Sequence, residues 1–365
     1  MQTDLNNLEP QSLVDAFIQH PPKTFDVYDS NHFLPFFNTQ FNLLTTLDIP
    51  VKKRIESLLG YRYWGALLHL KTCFIGTTVS EYTPLAQSLP MNDLIAQLKE
   101  IAKNQSLTII KDLPLSSPLL TPHENTYSQQ LIKEAENIGF LSVEGQALAY
   151  VPIDFQDRAE YLSKLSKSRR KNLKRKLKSL DELKIEILST GDLKFKNSSF
   201  RDDLYQLFLN VYHQSNVHFD LLTPEFFDTI LQDANNGGKV FLYWKEEASE
   251  NQILVGYNIC FEYQGNLVDK YIGLNYALAL EYHLYFISWF VNLDYAKQRN
   301  LKFYIAGWTD PEVKAQLGAK FTFTRHLVWI RQPVLRFILS KLRYLFEADA
   351  HWHEQNAQTM QESKG

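Results

Sequence analysis

Apolar residues at helical spacing, Leu94, Ile95, Leu98 and Ile101, predict an amphipathic helix that Asn92 caps and that runs to about Asn104. Leu107 to Ile110 then reads as a short buried strand. Lys111 to Glu124, rich in Pro and Ser, is expected to be a loop. Tyr127 to Asn137 is a helix stopped by Gly139, and Leu141 to Ile153 supplies closing strands. Upstream, Ser12 to Gln19 forms a short helix and Phe25 to Tyr28 a short strand. Residues 31–60 read as irregular, with one helix from about Val51. Tyr63 to Val79 carries strand residues broken by Gly65 and Gly76.

Between the halves, Leu162 to Leu180 reads as one long basic helix. Nine of the fifteen residues from Lys164 to Lys178 are Lys or Arg, while Leu162, Leu165, Leu173, Leu177 and Leu180 keep an apolar stripe. Lys184 to Leu188 is a strand, Asp203 to Tyr212 a helix, and Thr223-Pro224 the start of another. Val240 to Lys245, Leu254 to Tyr263 and Leu267 to Gly273 read as strands, the last two joined by a tight hairpin at Gln264-Gly265-Asn266. A long helix runs from about Leu278 to Arg299. Phe303 to Ala306 is a strand, Pro311 to Leu317 a helix, and Lys320 to Ile330 the final strand. An apolar helix starts near Pro333 and continues through Phe346.

The two halves echo each other. Ala102 to Ile110 is matched by Ala296 to Tyr304, each copy reading as helix end, polar turn and buried strand. Ile138-Gly139-Phe140 is matched by Leu317-Gly318-Ala319, and Leu148 to Val151 by Leu327 to Ile330. Collinear echoes predict a duplicated α/β unit. The expected divisions are residues 1–158, residues 159–332 and a C-terminal helix and tail over residues 333–365.

Composition fits this picture: 45% hydrophobic and 22% charged residues in a 365-residue chain suffice for two cores. A net charge of −3 argues against a general nucleic-acid coat. The two cysteines, Cys73 and Cys260, sit in apolar runs and read as buried thiols of a reducing compartment. Met1 to Pro10 lacks a basic region followed by an apolar core, and no apolar run is long enough to span a bilayer. The cytoplasm is therefore the expected location. No Walker loop, Gly-x-Gly-x-x-Gly, Gly-x-Ser-x-Gly or Cys-x-x-Cys occurs, so nothing points to nucleotide hydrolysis, dinucleotide redox chemistry or serine hydrolysis.

In the second half the order α-α-β-β-β-α-β-α-β is that of an acyl-CoA N-acyltransferase (GNAT) domain. Gly256-Tyr257-Asn258, Asp269-Lys270-Tyr271-Ile272-Gly273, His283-Leu284-Tyr285-Phe286, Tyr295-Ala296, Gly307, and Lys314 with Gly318-Ala319 resemble the Fem-type (FemAB-like) tandem acyltransferases. The basic run Ser168 to Arg175 is similar to the helix that opens the second domain of such proteins. The resemblance implies an α+β chain of two GNAT-like mixed-sheet domains, with the cleft built largely by the second. It implies transfer of an acyl or aminoacyl group from acyl-CoA or aminoacyl-tRNA to the amine of a small molecule or envelope precursor. One departure bears on the donor. The turn after the fourth strand, Tyr271 to Ala277, has a single glycine and no basic residue, where acetyl-CoA enzymes hold pyrophosphate on a glycine-rich turn. The alternative is a catalytically silent module that binds an envelope precursor, lipid or partner protein.

Amine acylation needs a proton acceptor, a donor to the carbonyl oxygen and a proton for the leaving group. Asp269 is the candidate base. Strand alternation would place Tyr271 on its face, as a second candidate catalytic residue of the cleft, and Lys270 on the other, unless Asp269 is only a salt-bridged strand residue. His283 is a candidate base or phosphate ligand, or else a plain helix-surface or capped histidine. Tyr257, Asn258, Gly273, Asn275, Tyr285 and Lys314 are the candidate donor- and acceptor-binding residues, Lys314 holding a carboxylate or phosphate unless it is a solvated helix lysine. Arg169, Arg170, Lys174 and Arg175 on the basic helix would meet transfer RNA or anionic lipid, unless they form only a solvated face. The terminal helix could lie on a membrane surface. His351-x-His353 reads as a surface pair, and no metal site is expected. Oligomeric state is not legible.

Overall fold

The structure, a computed structural model, describes residues 5–28, 34–44, 49–86, 89–215, 218–246, 252–333 and 336–337. Its strands are, in chain order, β1 (Asp26–Tyr28), β2 (Phe36–Asn42), β3 (His69–Ile75), β4 (Leu107–Ser116), β5 (Leu141–Pro152), β6 (Leu183–Ser189), β7 (Gly238–Glu246), β8 (Gln252–Tyr263), β9 (Asn266–Leu274), β10 (Phe303–Gly307) and β11 (Lys320–Ile330). Two compact units emerge. One gathers the described residues of Met1–Asn7, Thr24–Ala147 and Thr322–Gly365; the other gathers Leu8–Lys23 and Leu148–Phe321.

In the first unit β1, β2 and β3 pair antiparallel, β3 and β4 pair parallel, and β11 closes antiparallel on β4. The helix Met91–Asn104 makes the crossover between the parallel strands. Its buried face of Leu94, Leu98 and Ala102 joins Cys73, Ile75, Ile110, Leu131 and Leu327 in one core. In the second unit β6, β7, β8 and β9 run antiparallel, β9 and β10 run parallel, and the end of β5 closes antiparallel on β10. The crossover here is the helix Leu284–Gln298, whose residues Ile287, Phe290, Leu293 and Ala296 are buried.

The sequence echo has a physical basis. After the helices Pro122–Asn137 and Pro311–Leu317, Gly139 and Gly318 take φ of 107° and 99°. In both, the next residue's N–H reaches back five residues, Phe140 to the Ala135 carbonyl and Ala319 to the Lys314 carbonyl. This is the Schellman close, which needs a residue free to adopt positive φ.

Several expected elements differ. The long basic helix is broken into Arg158–Ser163, Lys167–Lys176 and a 3-10 turn, Leu177–Glu182. Ser166 breaks it: its side chain accepts from the Arg169 N–H and starts a new helix. The expected Leu278–Arg299 helix is interrupted between Tyr276–Ala279 and Leu284–Gln298, with His283 at φ 52°. His283 therefore precedes the helix and does not lie in its first turn. Pro90, not Asn92, occupies the cap position of Met91–Asn104. The loop from Lys111 is shorter than expected, because β4 runs on to Ser116 and Thr121 forms a capping box with Glu124. The aromatic run from Tyr61 is helical before β3 begins, and β2 occupies part of the stretch read as irregular. The terminal helix after Pro333, apart from Arg336 and Phe337, and the His351/His353 pair lie outside the described residues.

Both cysteines are buried and unpaired as disulfides. Burial pushes the Cys73 thiol up to about 12 and Cys260 well above its ordinary value. Since the thiolate is the reactive form, iodoacetamide at pH 8 should leave the native protein unlabelled and add two adducts in denaturant, as read by intact mass.

Candidate active site

The site lies in the second unit, where the parallel pair β9 and β10 stops pairing. Phe303 faces Asn266, Tyr304 faces Leu267 and Ile305 faces Val268, and there the ladder ends. β9 continues along β8 to Leu274. The next residues in line, Asp269 and Ala306, flank the resulting gap. Two irregularities open it. β9 bulges at Lys270, because Ile259 pairs with Tyr271 while Cys260 pairs with Asp269. β10 shifts register against β5 between Ile305 and Gly307, where Gly307 takes φ 75°.

The bulge overturns simple alternation. Asp269 points toward the long helix Leu284–Gln298 and bonds to Asn292. Lys270 instead pairs with Glu9 at 3.3 Å, and the Tyr271 ring packs on Phe226 and Phe227. Tyr271 is thus in an aromatic core and Asp269 in a polar pocket.

A dense network holds the carboxylate. Oδ2 accepts from the Tyr304 hydroxyl at 2.7 Å and from Asn292 Nδ2 at 3.0 Å. Oδ1 accepts from Asn258 Nδ2 at 3.3 Å and lies 3.5 Å from Cys260 Sγ. Asn258 is fixed in turn by the Tyr243 hydroxyl at 2.9 Å. Desolvation raises the Asp269 pKa; hydrogen bonds from Tyr304 and Asn258 and the charge of Lys314 pull it back. The result is a buried carboxylate more basic than usual, in a residue that is half-buried as a whole.

Lys314 reaches the same place from the helix Pro311–Leu317. The residue is only 4% exposed, and its Nζ donates to the Ala306 carbonyl at 2.6 Å. A Cβ on Gly307 would stand 3.8 Å from the Asp269 carbonyl and 3.9 Å from Lys314 Nζ. Tyr285, in the first turn of the long helix, has a buried hydroxyl with no hydrogen-bond partner among the described residues. Burial and the negative charges of Asp310 and Asp269 push its pKa up, so it remains a neutral proton donor.

The other expected residues stand elsewhere. His283 lies beside the basic helix, and burial together with Lys176 and Arg175 depresses its pKa. It is neutral at pH 7. Lys176 Nζ sits 3.1 Å from the centre of the Phe286 ring. Arg169 donates to the Ala315 carbonyl, Arg170 to the Ser163 carbonyl and Arg175 to Asn172, while Lys174 is exposed. Asn275 turns the chain after β9, its N–H on the Val255 carbonyl and its own carbonyl accepting from Leu278 and Ala279. Tyr257 and Gly273 pair across β8 and β9: a Cβ on Gly273 would meet the Tyr257 ring at 2.2 Å and Leu207 Cβ at 2.9 Å. Gly273→Ala should therefore cost about 1–3 kcal/mol of stability in chemical denaturation through overpacking.

Four members of the network, Tyr243, Cys260, Asn292 and Tyr304, escaped the sequence reading. Asn292 carried a usable signal: it is a lone amide in the otherwise apolar run Trp289 to Leu293. Among the described residues, no group of three or more His, Cys, Asp or Glu is placed to hold a metal ion.

The paired units, each with a parallel strand pair, a crossover helix and an antiparallel closing strand, define a tandem GNAT-like fold. A family model described as peptidoglycan biosynthesis/recognition, FemAB-like, matches residues 93–364, and the chain belongs to that family. No curated protein matches the sequence significantly. Solved structures agree on the fold. The C-terminal domain of an Agrobacterium fabrum protein designated a lysylphosphatidylglycerol synthetase superposes with a TM-score of 0.53 at 9% identity, over 93% of this chain and 96% of that one. L-PGS from Bacillus licheniformis gives 0.51 at 9% identity, over 92% and 97%. FemX gives 0.50 at 12% identity, over 90% and 98%.

Proposed function

We propose that the protein transfers an acyl or aminoacyl group to an amine of a peptidoglycan precursor, in the gap between β9 and β10. The observation that carries this reading is the carboxylate of Asp269 and the buried ammonium of Lys314 at the point where two parallel strands part. The amine nitrogen attacks the carbonyl carbon of the donor ester or thioester. A C–N bond forms, and the C–O or C–S bond to the carrier breaks. Asp269 accepts the proton lost by the amine, Lys314 offers its positive charge to the carbonyl oxygen, and Tyr285 donates a proton to the leaving group. The Lys270 side chain is 7% exposed while the residue as a whole is more accessible, so accessible main chain stands at the bulge beside the reacting atoms.

The turn that would hold a CoA pyrophosphate offers no basic side chain, which favours an aminoacyl group on transfer RNA over acetyl-CoA as donor. Arg169, Arg170, Lys174 and Arg175 would then meet the RNA backbone. The same departure favours the second reading, a binding module without transferase activity. Incubation with acyl-CoAs and with charged transfer RNA, scored by product formation, separates the two.

The geometry also sets the pH dependence. Asp269 must be ionised to accept a proton, so the rate falls as pH drops through its raised pKa. Tyr304 favours the ionised form, so Tyr304→Phe should move the acidic limb of the pH–rate profile to higher pH while activity at pH 9 changes little. An unmoved limb would remove Asp269 from the role of base.

A further inference from the structure

The strongest feature outside this site is in the first unit. The helix Ile49–Glu56 and the helix Tyr61–Trp64 meet at a turn whose tip is almost wholly uncovered. Leu59 is 101% exposed, Leu58 54% and Tyr63 75%. Large apolar side chains rarely cluster in water at such exposure without a surface to bury them. The turn is also built to hold them out. Gly60 takes φ 76°, and the Trp64 indole N–H donates to the Leu59 carbonyl at 3.2 Å. Tyr61 packs edge-on against Trp64 at 5.1 Å, and Ser57 bonds back to the Arg54 carbonyl. Leu58 and Leu59 therefore project from an ordered turn.

The charge around the tip is one-sided. From Lys52 to Arg62 the chain carries four cations, Lys52, Lys53, Arg54 and Arg62, and one acid, Glu56. Lys53, Arg54 and Arg62 are exposed, and Arg62 lies over the Tyr63 ring and bonds to its hydroxyl. Apolar residues at the apex, an aromatic beside them and cations behind match the layers of a bilayer surface: acyl chains, interface and anionic headgroups. Among the described residues no helix is long and apolar enough to cross a membrane, so any membrane contact they make is peripheral.

We propose that the Leu58–Tyr63 tip docks the protein on anionic lipid, Leu58 and Leu59 entering the acyl-chain boundary and the flanking cations engaging headgroup phosphates. This inference is independent of the transfer reaction and would hold for a protein that only binds its ligand.

Co-sedimentation of the full chain with vesicles tests it, using phosphatidylcholine alone and phosphatidylcholine with phosphatidylglycerol. Binding is expected on the anionic vesicles and should weaken as salt rises. The Leu58→Ser/Leu59→Ser variant should bind at least tenfold more weakly, and Lys53→Glu/Arg54→Glu should lose the preference for anionic lipid. All four positions are exposed, so unchanged thermal unfolding would confirm that the variants fold. The proposal is overturned by absence of binding at low salt, by binding unaffected by the leucine variant, or by self-association that the leucine variant abolishes. It is likewise overturned if the tip binds RNA, with loss in the charge variant and none in the leucine variant.

Discussion

Asp269→Asn is expected to lower the transfer rate by about 10²- to 10⁴-fold, the usual contribution of a positioned general base. The same change should leave the fold intact at neutral pH. Desolvation is the main influence on Asp269 and raises its pKa, so the ionised carboxylate is held at a cost to the folded state. For a carboxyl whose folded pKa is raised, the stabilising contribution is present at low pH and is lost as pH rises through that pKa. At pH 7 the charge is therefore a burden that an amide removes, offset by the loss of one acceptor, most simply the one that meets Asn258 Nδ2 at 3.3 Å. Loss of activity with undiminished resistance to denaturant would separate a catalytic group from a structural one. Parallel loss of both would make Asp269 part of the scaffold.

Lys314→Met should have the second largest effect, about 10²- to 10³-fold on rate if its ammonium stabilises the oxyanion. Here stability should also fall. Methionine keeps the length of the side chain and drops the donor, leaving the Ala306 carbonyl without the partner that meets it at 2.6 Å, at a cost of about 1–3 kcal/mol. The charge of Lys314 also lowers the Asp269 pKa, so its removal shifts the acidic limb of the pH–rate profile upward. Loss of rate together with an upward-shifted limb is the signature expected of Lys314. A rate loss with an unshifted limb would place its charge outside the reach of Asp269. Urea titration and a pH–rate series on the two variants supply both readouts.

The second unit was legible in the sequence because its strands are long apolar runs bounded by turn residues. β7, β8 and β9 fell close to their expected bounds, and the Gln264-Gly265 hairpin takes the positive φ values that a tight turn needs. The duplicated helix ends were legible because a Schellman close demands glycine at one fixed place. What failed was local competition. Ser166 offered the backbone a cap where periodicity read a continuous helix, and Pro90 took the place expected of Asn92. In the site, Asp269, Asn258, Lys314 and Tyr285 were named from sequence; the structure joins Asp269 to Asn258, sets Lys314 on the neighbouring strand end, and leaves Tyr285 within electrostatic reach of Asp269. Tyr271 was placed on the wrong face because a bulge adds one residue to a strand without leaving a sequence mark. Tyr304 was missed because its role exists only once β10 and the crossover helix pack together.

The most direct test of transfer at the β9–β10 gap is the mass of the acceptor. A peptidoglycan stem peptide with a free side-chain amine, incubated with the protein and either charged transfer RNA or a series of acyl-CoAs, should gain the mass of one acyl group as an amide. The gain should disappear with Asp269→Asn. Unchanged peptide mass with every donor, while the protein still binds the peptide, would contradict transferase activity and establish a binding module.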